Sequence, residues 1–260
     1  MTATAEPFLR EPKNQSPADL SQFALMQRVF QDAGGSLADR IDGFAKFASR
    51  QAMAKFLARY EIFKKILHVN GSIIECGVLH GAGLLTWAKL SSIFEPANHV
   101  RKIIGFDTFE GFPSISQADA AGGDSSHLKP GGMTGSSLED VEQAVALYDK
   151  NRPLSHIPKI ELVKGDLCET APQYLKSNPH LVVSMLYLDV DLYEPTKAAL
   201  QTFLPRMPRG AVIVFDELNA RMFPGETRAV DDVLGLRNLR LERFPFDSYV
   251  SFCVLDGPQG

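Results

Sequence analysis

Two apolar runs that end in carboxylates constrain this chain more than any other feature. Val182 to Leu188 (VVSMLYL) leads directly into Asp189-Val190-Asp191, and Ala211 to Phe215 (AVIVF) into Asp216-Glu217. Apolar stretches of this length, rich in β-branched and aromatic residues, read as strands buried on both faces. Such strands belong to a parallel sheet, and acids at their C-terminal ends gather along the edge where open α/β folds bind ligands. Three or four carboxylates crowded there need a cation, shared protons or water. A divalent metal with oxygen ligands is the simplest remedy.

The rest of the chain alternates in the same manner. Ser72 to Cys76 (SIIEC), Lys102 to Phe106 (KIIGF) and Ile160 to Lys164 read as three earlier strands. Helices fit at Gly83 to Ile93, about Leu138 to Asp149, Ala171 to Ser177 and Pro195 to Leu204. Alternation of this kind implies βαβ units with right-handed crossovers. A helix around Thr227 to Leu234 leads to two final strands, Arg240 to Phe244 and Val250 to Leu255, whose short link permits only an antiparallel pair. A dinucleotide-binding sheet of two similar halves does not end in a hairpin. The expected fold is therefore α/β, a Rossmann-like seven-stranded sheet of the class I methyltransferase type. It has five parallel strands, a sixth, and an antiparallel seventh slotted between the fifth and sixth.

Residues 1–70 are expected to form an N-terminal arm with helices, and residues 71–260 the main domain. Residues 1 to about 20 are polar, hold three prolines and read as an extended arm. The apolar residues from Phe44 to Leu67 repeat at helical spacing. Their stripe suits either the main sheet or a second subunit. Residues 113–137 (PSISQADAAGGDSSHLKPGGMTGSS) lack periodicity and follow the second strand, which suggests a lid over the ligand edge.

Composition excludes several classes. A net charge of −4 argues against nucleic acid or a membrane surface as the main partner. No apolar run approaches the ~18 residues of a membrane span. Cys76, Cys168 and Cys253 show no paired metal spacing and read as buried free thiols of a cytoplasmic protein.

The first strand joins the first helix through Glu75-Cys76-Gly77-Val78-Leu79-His80-Gly81-Ala82-Gly83. Glycines admit positive φ and let a ligand approach the backbone, so Gly77, Gly81 and Gly83 mark a binding loop. The spacing is not the dinucleotide fingerprint. Glu75 at its start suits a cationic amino group. Asp107, ending the second strand, suits both hydroxyls of a ribose. Asp166, ending the third, suits the exocyclic amine of adenine, with Leu167 or Phe109 packing on the ring. Together these acids describe S-adenosylmethionine better than NAD, which needs phosphate donors.

Ile74 to Gly83 (IECGVLHGAG), Gly105 to Pro113 (GFDTFEGFP), Leu186 to Thr196 (LYLDVDLYEPT) and Gly210 to Leu218 (GAVIVFDEL) resemble the macrocin O-methyltransferase family. The resemblance spans roughly residues 40–256 and implies an S-adenosylmethionine-dependent enzyme methylating sugar hydroxyls of natural products. It implies Mg²⁺ held by Asp189, Asp216 and Glu217. The family usually has two aspartates where this chain has Asp216-Glu217, which leaves Asn219 as a substitute oxygen donor. His80 stands where relatives tend to carry arginine.

The expected acceptor is a small molecule, a sugar or glycosylated natural product, and the expected assembly is a homodimer. Asp189 is the leading candidate for both base and cofactor-side acid, and Asp191 the second candidate base, with capping of the following helix as its plainer role. His127, in the expected lid, is a weaker candidate base, and Tyr193 and Glu194 are candidates to line the acceptor pocket. A non-sugar hydroxyl as acceptor, or S-adenosylmethionine binding without catalysis, are the competing readings.

Overall fold

A computed structural model describes residues 16–123 and 125–256. Two compact units make up the chain, one ending at Ala54 and one beginning at Lys55. The proposed arm therefore falls largely outside the described residues, and its end, from Pro17, is helical rather than extended.

The first unit holds α1 (Pro17–Asp32), α2 (Leu37–Asp42) and a 3-10 turn, Phe44–Lys46. Ser36 caps α2 reciprocally with Asp39, which sets its start. Phe30 and Phe47 meet edge to face, 4.9 Å between centroids. The single helix expected from Phe44 to Leu67 is interrupted: α3 begins afresh at Arg50 and runs to Ile66. Ala58, Ile62, Phe63 and Ile66 form its buried face, while Phe56 and Leu57 are exposed.

The second unit is a seven-stranded sheet with helices on both faces. Its strands are β1 (Ser72–Cys76), β2 (Ile103–Asp107), β3 (Ile160–Lys164), β4 (Val183–Leu188), β5 (Val212–Phe215), β6 (Glu242–Arg243) and β7 (Ser251–Val254). Their order is β3-β2-β1-β4-β5-β7-β6. The first five pair in parallel, and β7 runs antiparallel between β5 and β6. This is the class I methyltransferase arrangement. The order reverses between β1 and β4, so the ligand crevice is expected at their C-terminal ends.

The α-helices that follow among the described residues are α4 (Ala82–Phe94), α5 (Gln117–Ala120), α6 (Leu138–Asp149), α7 (Leu167–Ser177), α8 (Tyr193–Phe203) and α9 (Pro224–Leu234). Alternate strand residues feed two cores. Ile73, Met185, Tyr187, Val212 and Val214 pack with α3 and α4, whereas Ile74, Leu186, Leu188, Ile213 and Phe215 pack with α7, α8 and α9. Arg101 is buried and ties the sheet's far edge together, bonding the carbonyls of Ile66, Val69 and Gly71 and the Ser184 hydroxyl.

The aperiodic segment 113–137 contains α5, capped reciprocally by Ser116 and Asp119. Arg228 of α9 donates to the carbonyls of Ala118 and Ala121 at the end of α5, and buried Asp119 accepts from the Tyr193 N–H at 2.7 Å.

Candidate active site

Strand register assembles the site. Leu188 lies beside both Cys76 and Phe215, so the residues that follow them, Gly77, Asp189 and Asp216, meet at one edge. The Asp189 N–H donates to the Cys76 carbonyl at 2.9 Å, and the Asp216 N–H to the Leu188 carbonyl at 3.0 Å. Gly77 has φ +92°, and a Cβ there would run into the Asp189 carbonyl. Only glycine lets the two strand ends come this close.

A cavity opens at this edge. Gly77, Asp107, Asp166, Asp189 and Asp191 line it, and Leu167, Cys168, Phe112 and Met133 give it apolar walls. Asp107 is the anchor of the glycine loop: Oδ2 accepts from Val78 N–H at 2.7 Å and Leu79 N–H at 2.9 Å, and Oδ1 from Phe109 N–H at 2.7 Å. Asp166 caps α7, accepting from Cys168 N–H at 2.9 Å. Cys168 is only half-buried, unlike the other two thiols. His80 joins the loop to the end of the 113–137 segment through Ser136 at 3.0 Å.

Other expected site residues lie behind the cavity. Glu75 is fully buried on the α3 and α4 face, against Gly83, with Arg59 beside it. Burial pushes its carboxyl up to about 8, against the pull of Arg59. Phe109 packs into the core beside α4 and α6, with φ +57°. Gly81, at φ +76°, turns the chain into α4. Asp191 has φ +61° and is buried, and the residue that caps α8 is Leu192, so capping is not the Asp191 side chain's role.

The carboxylates are electrostatically crowded. Burial and the neighbouring Asp216 raise Asp189 to about 7, and burial and Asp191 raise Glu217 to about 9. Asp191 is pushed well above the usual carboxylate range by burial and Asp189. Asp216 goes the other way. Burial works against its charge, but Lys55 and Tyr187 hold it below the ordinary value. Lys55 Nζ donates to Oδ2 at 2.9 Å and Tyr187 OH to Oδ1 at 2.5 Å. No motif marks Lys55, Tyr187 or the buried Glu226, whose Oε1 accepts from Glu217 N–H at 3.1 Å.

An oxygen-only donor set in excess negative charge suits a hard divalent cation. Glu217 Oε2 and Glu226 Oε2 are buried with no hydrogen-bond partner, an arrangement that a cation or a shared proton would relieve. Among the described residues, however, no three acidic side chains converge as a ready metal group.

A class I sheet with an acid-lined cavity at the β1/β4 reversal is the architecture of the S-adenosylmethionine-dependent methyltransferases, and the family match makes this chain an O-methyltransferase. The chain matches the model of the macrocin O-methyltransferase (TylF) family over residues 49–249 and belongs to that family. A solved structure described as the calicheamicin methyltransferase CalS11 is 30% identical, with 92% of this chain and 93% of that one covered and a TM-score of 0.87. The apo form of CalS11, described as a TDP-rhamnose 3'-O-methyltransferase, is likewise 30% identical over 92% and 95%, with a TM-score of 0.79. The O-methyltransferase NovP shares the fold at 19% identity, covering 78% and 79%, with a TM-score of 0.63. No curated protein sequence matches the chain.

Proposed function

We propose that this enzyme methylates a hydroxyl of a sugar or deoxysugar in natural-product biosynthesis, with Mg²⁺ at the strand-end carboxylates. The carrying observation is Asp189, which lines the cavity and adjoins Asp216 at the next strand end. Similarity to a TDP-rhamnose methyltransferase over nearly the whole chain supports the acceptor class.

Gly77, Asp107 and Asp166 hold the cofactor: the loop backbone at the methionine end, Asp107 at the ribose, Asp166 at the adenine. Glu75, Gly81, Gly83 and Phe109 shape that loop from behind. Asp189 faces the acceptor oxygen and takes its proton as the methyl passes in line from sulfur to oxygen, leaving S-adenosylhomocysteine and a methyl ether. Beside a cation a carboxylate is a weak base, but the same charge acidifies the hydroxyl it must deprotonate. Asp191 is the reserve base. Asp189, Asp216 and Glu217 are the residues that would hold Mg²⁺, which would supply charge that acidifies the hydroxyl.

The decisive assay supplies S-adenosylmethionine and TDP-rhamnose with and without Mg²⁺. Asp189→Ala should lower kcat at least ~100-fold while S-adenosylhomocysteine affinity stays within a few-fold. A variant that keeps most of its rate removes Asp189 from the mechanism. No methyl ether from TDP-rhamnose or any glycosylated acceptor tried removes the sugar reading.

The unpaired thiols support a cytoplasmic location. Exposed Leu25 and Val29 on α1, and Leu37 and Ile41 on α2, support pairing of two copies. Light scattering should then give twice the 28.6 kDa chain mass; a monomer at micromolar concentration rejects the dimer.

A further inference from the structure

Helix α8 begins directly after Asp189-Val190-Asp191, yet its own N-cap, Leu192, offers no side chain to the free amides of the first turn. The cap comes from far along the chain. Asp119 of α5 is 1% exposed; its Oδ1 accepts from the Tyr193 N–H, the first amide of α8, at 2.7 Å, and its Oδ2 from the Ser116 N–H at 3.0 Å. A buried carboxylate at a helix start also meets the positive end of the helix dipole, where little salt or water screens it.

The turn beside this cap is strained. Asp191 has φ +61°, and the Leu192 N–H reaches back to the Val190 carbonyl at 2.6 Å, which is the rare form of a γ-turn. Such a turn persists only where its surroundings over-determine it. On one side the Asp189 N–H is tied to the Cys76 carbonyl of β1. On the other, Asp119 holds the Tyr193 amide. Gly225 of α9 makes room for that contact: a Cβ there would run into both Asp119 Oδ1 and the Tyr193 nitrogen.

We infer that Asp119 is a positioning residue for methyl transfer: docked α5 caps α8 and so fixes the strained turn that carries Asp189 and Asp191 at the cavity wall. This rests on the reading of Asp189 as the proton acceptor. The 113–137 segment thereby does more than cover the cavity. Without the cap the turn relaxes and the Asp189 carboxylate leaves its line to the acceptor oxygen, so proton transfer waits for a covered site.

The test compares full-length wild type, Asp119→Ala, Asp119→Asn and Gly225→Ala with S-adenosylmethionine and TDP-rhamnose. Asp119→Ala should lower kcat at least about tenfold, with KM for S-adenosylmethionine within about threefold. Asp119→Asn keeps an oxygen for the Tyr193 N–H and should recover most of the loss. Gly225→Ala removes no polar group, and alanine suits a helix better than glycine, so a matching fall in kcat comes from the wedge between Asp119 and Tyr193. Wild-type kcat in Asp119→Ala overturns the inference, and so does a loss confined to KM, which makes Asp119 a lid contact only. Hydrogen exchange read by mass spectrometry without substrate separates this from the underlying reading. Residues 190–196 should exchange at least about tenfold faster in Asp119→Ala, with α6 unchanged. If wild type methylates no TDP-rhamnose, or Asp189→Ala keeps its rate, that reading falls and exchange alone decides the cap; equal exchange in the two proteins rejects it. If Asp119→Ala does not fold, Gly225→Ala decides by the same two measurements.

Discussion

Gly77 shows how one side chain, by being absent, decides the site. Its φ of +92° is open to glycine, and the Asp189 carbonyl occupies the space a Cβ would take. Asp107 completes the device by fixing the next two amides, those of Val78 and Leu79. Substituting alanine must rotate the loop or push back the end of β4, and both carry cofactor-side groups. Backbone strain alone is worth about 1–3 kcal/mol, and the overlap adds to it. Gly77→Ala should therefore melt several degrees lower and bind S-adenosylhomocysteine at least tenfold more weakly in calorimetry. Wild-type affinity in that variant would show that the loop does not contact the cofactor.

Among elements, the 113–137 segment is the one whose role depends on how firmly it is held. Asp119 and Arg228 join α5 to α8 and α9, and Phe112 and Met133 bring the segment's two ends to the cavity wall. We propose that it serves as a lid with Arg228 as its latch. Arg228→Ala should leave the melting temperature within a few degrees, speed proteolysis between residues 117 and 123, and raise KM for the acceptor. Unaltered proteolysis would dismiss the latch. Elements were legible in the sequence where burial is periodic or continuous: the five parallel strands and α4, α6 and α8 lie within a residue or two of expectation. The start of α7 is not, because Asp166 caps it so that it begins at Leu167, four residues before the expected Ala171. Helices α1 and α2 are largely solvent-facing and leave no stripe to read. Lys55 pairs with Asp216 across 161 residues, a contact that no local spacing encodes. A signal for it did exist. Lys55 and Arg59 continue the Ile62 and Ile66 stripe of α3 toward the sheet, and a cation on an otherwise apolar face implies a buried acid opposite.

At the scale of the whole molecule, these carboxylates tie folding to pH. Glu75 ionises at about 8 in the folded protein, because it is fully buried, and ordinarily at 4.5. Between those values the folded state keeps a proton that the unfolded chain has released. The folded state thus binds more protons, and stability falls as pH rises through this window. The slope is about 1.4 kcal/mol per pH unit for one such group. Asp189 and Glu217, at about 7 and about 9, tilt the curve the same way. Asp216, held below 3.8, acts only in acid, where its contribution is lost as pH falls. Glu75→Gln cannot ionise, so it should melt close to wild type at pH 5 and clearly above it at pH 8, with a shallower decline between. Arg59 sets the limit on that gain, since its guanidinium stabilises the charged form of Glu75 and finds only a neutral amide in the variant. Superimposable melting curves for the two proteins across pH 5 to 8 would mean that Glu75 is charged throughout, with Arg59 outweighing burial.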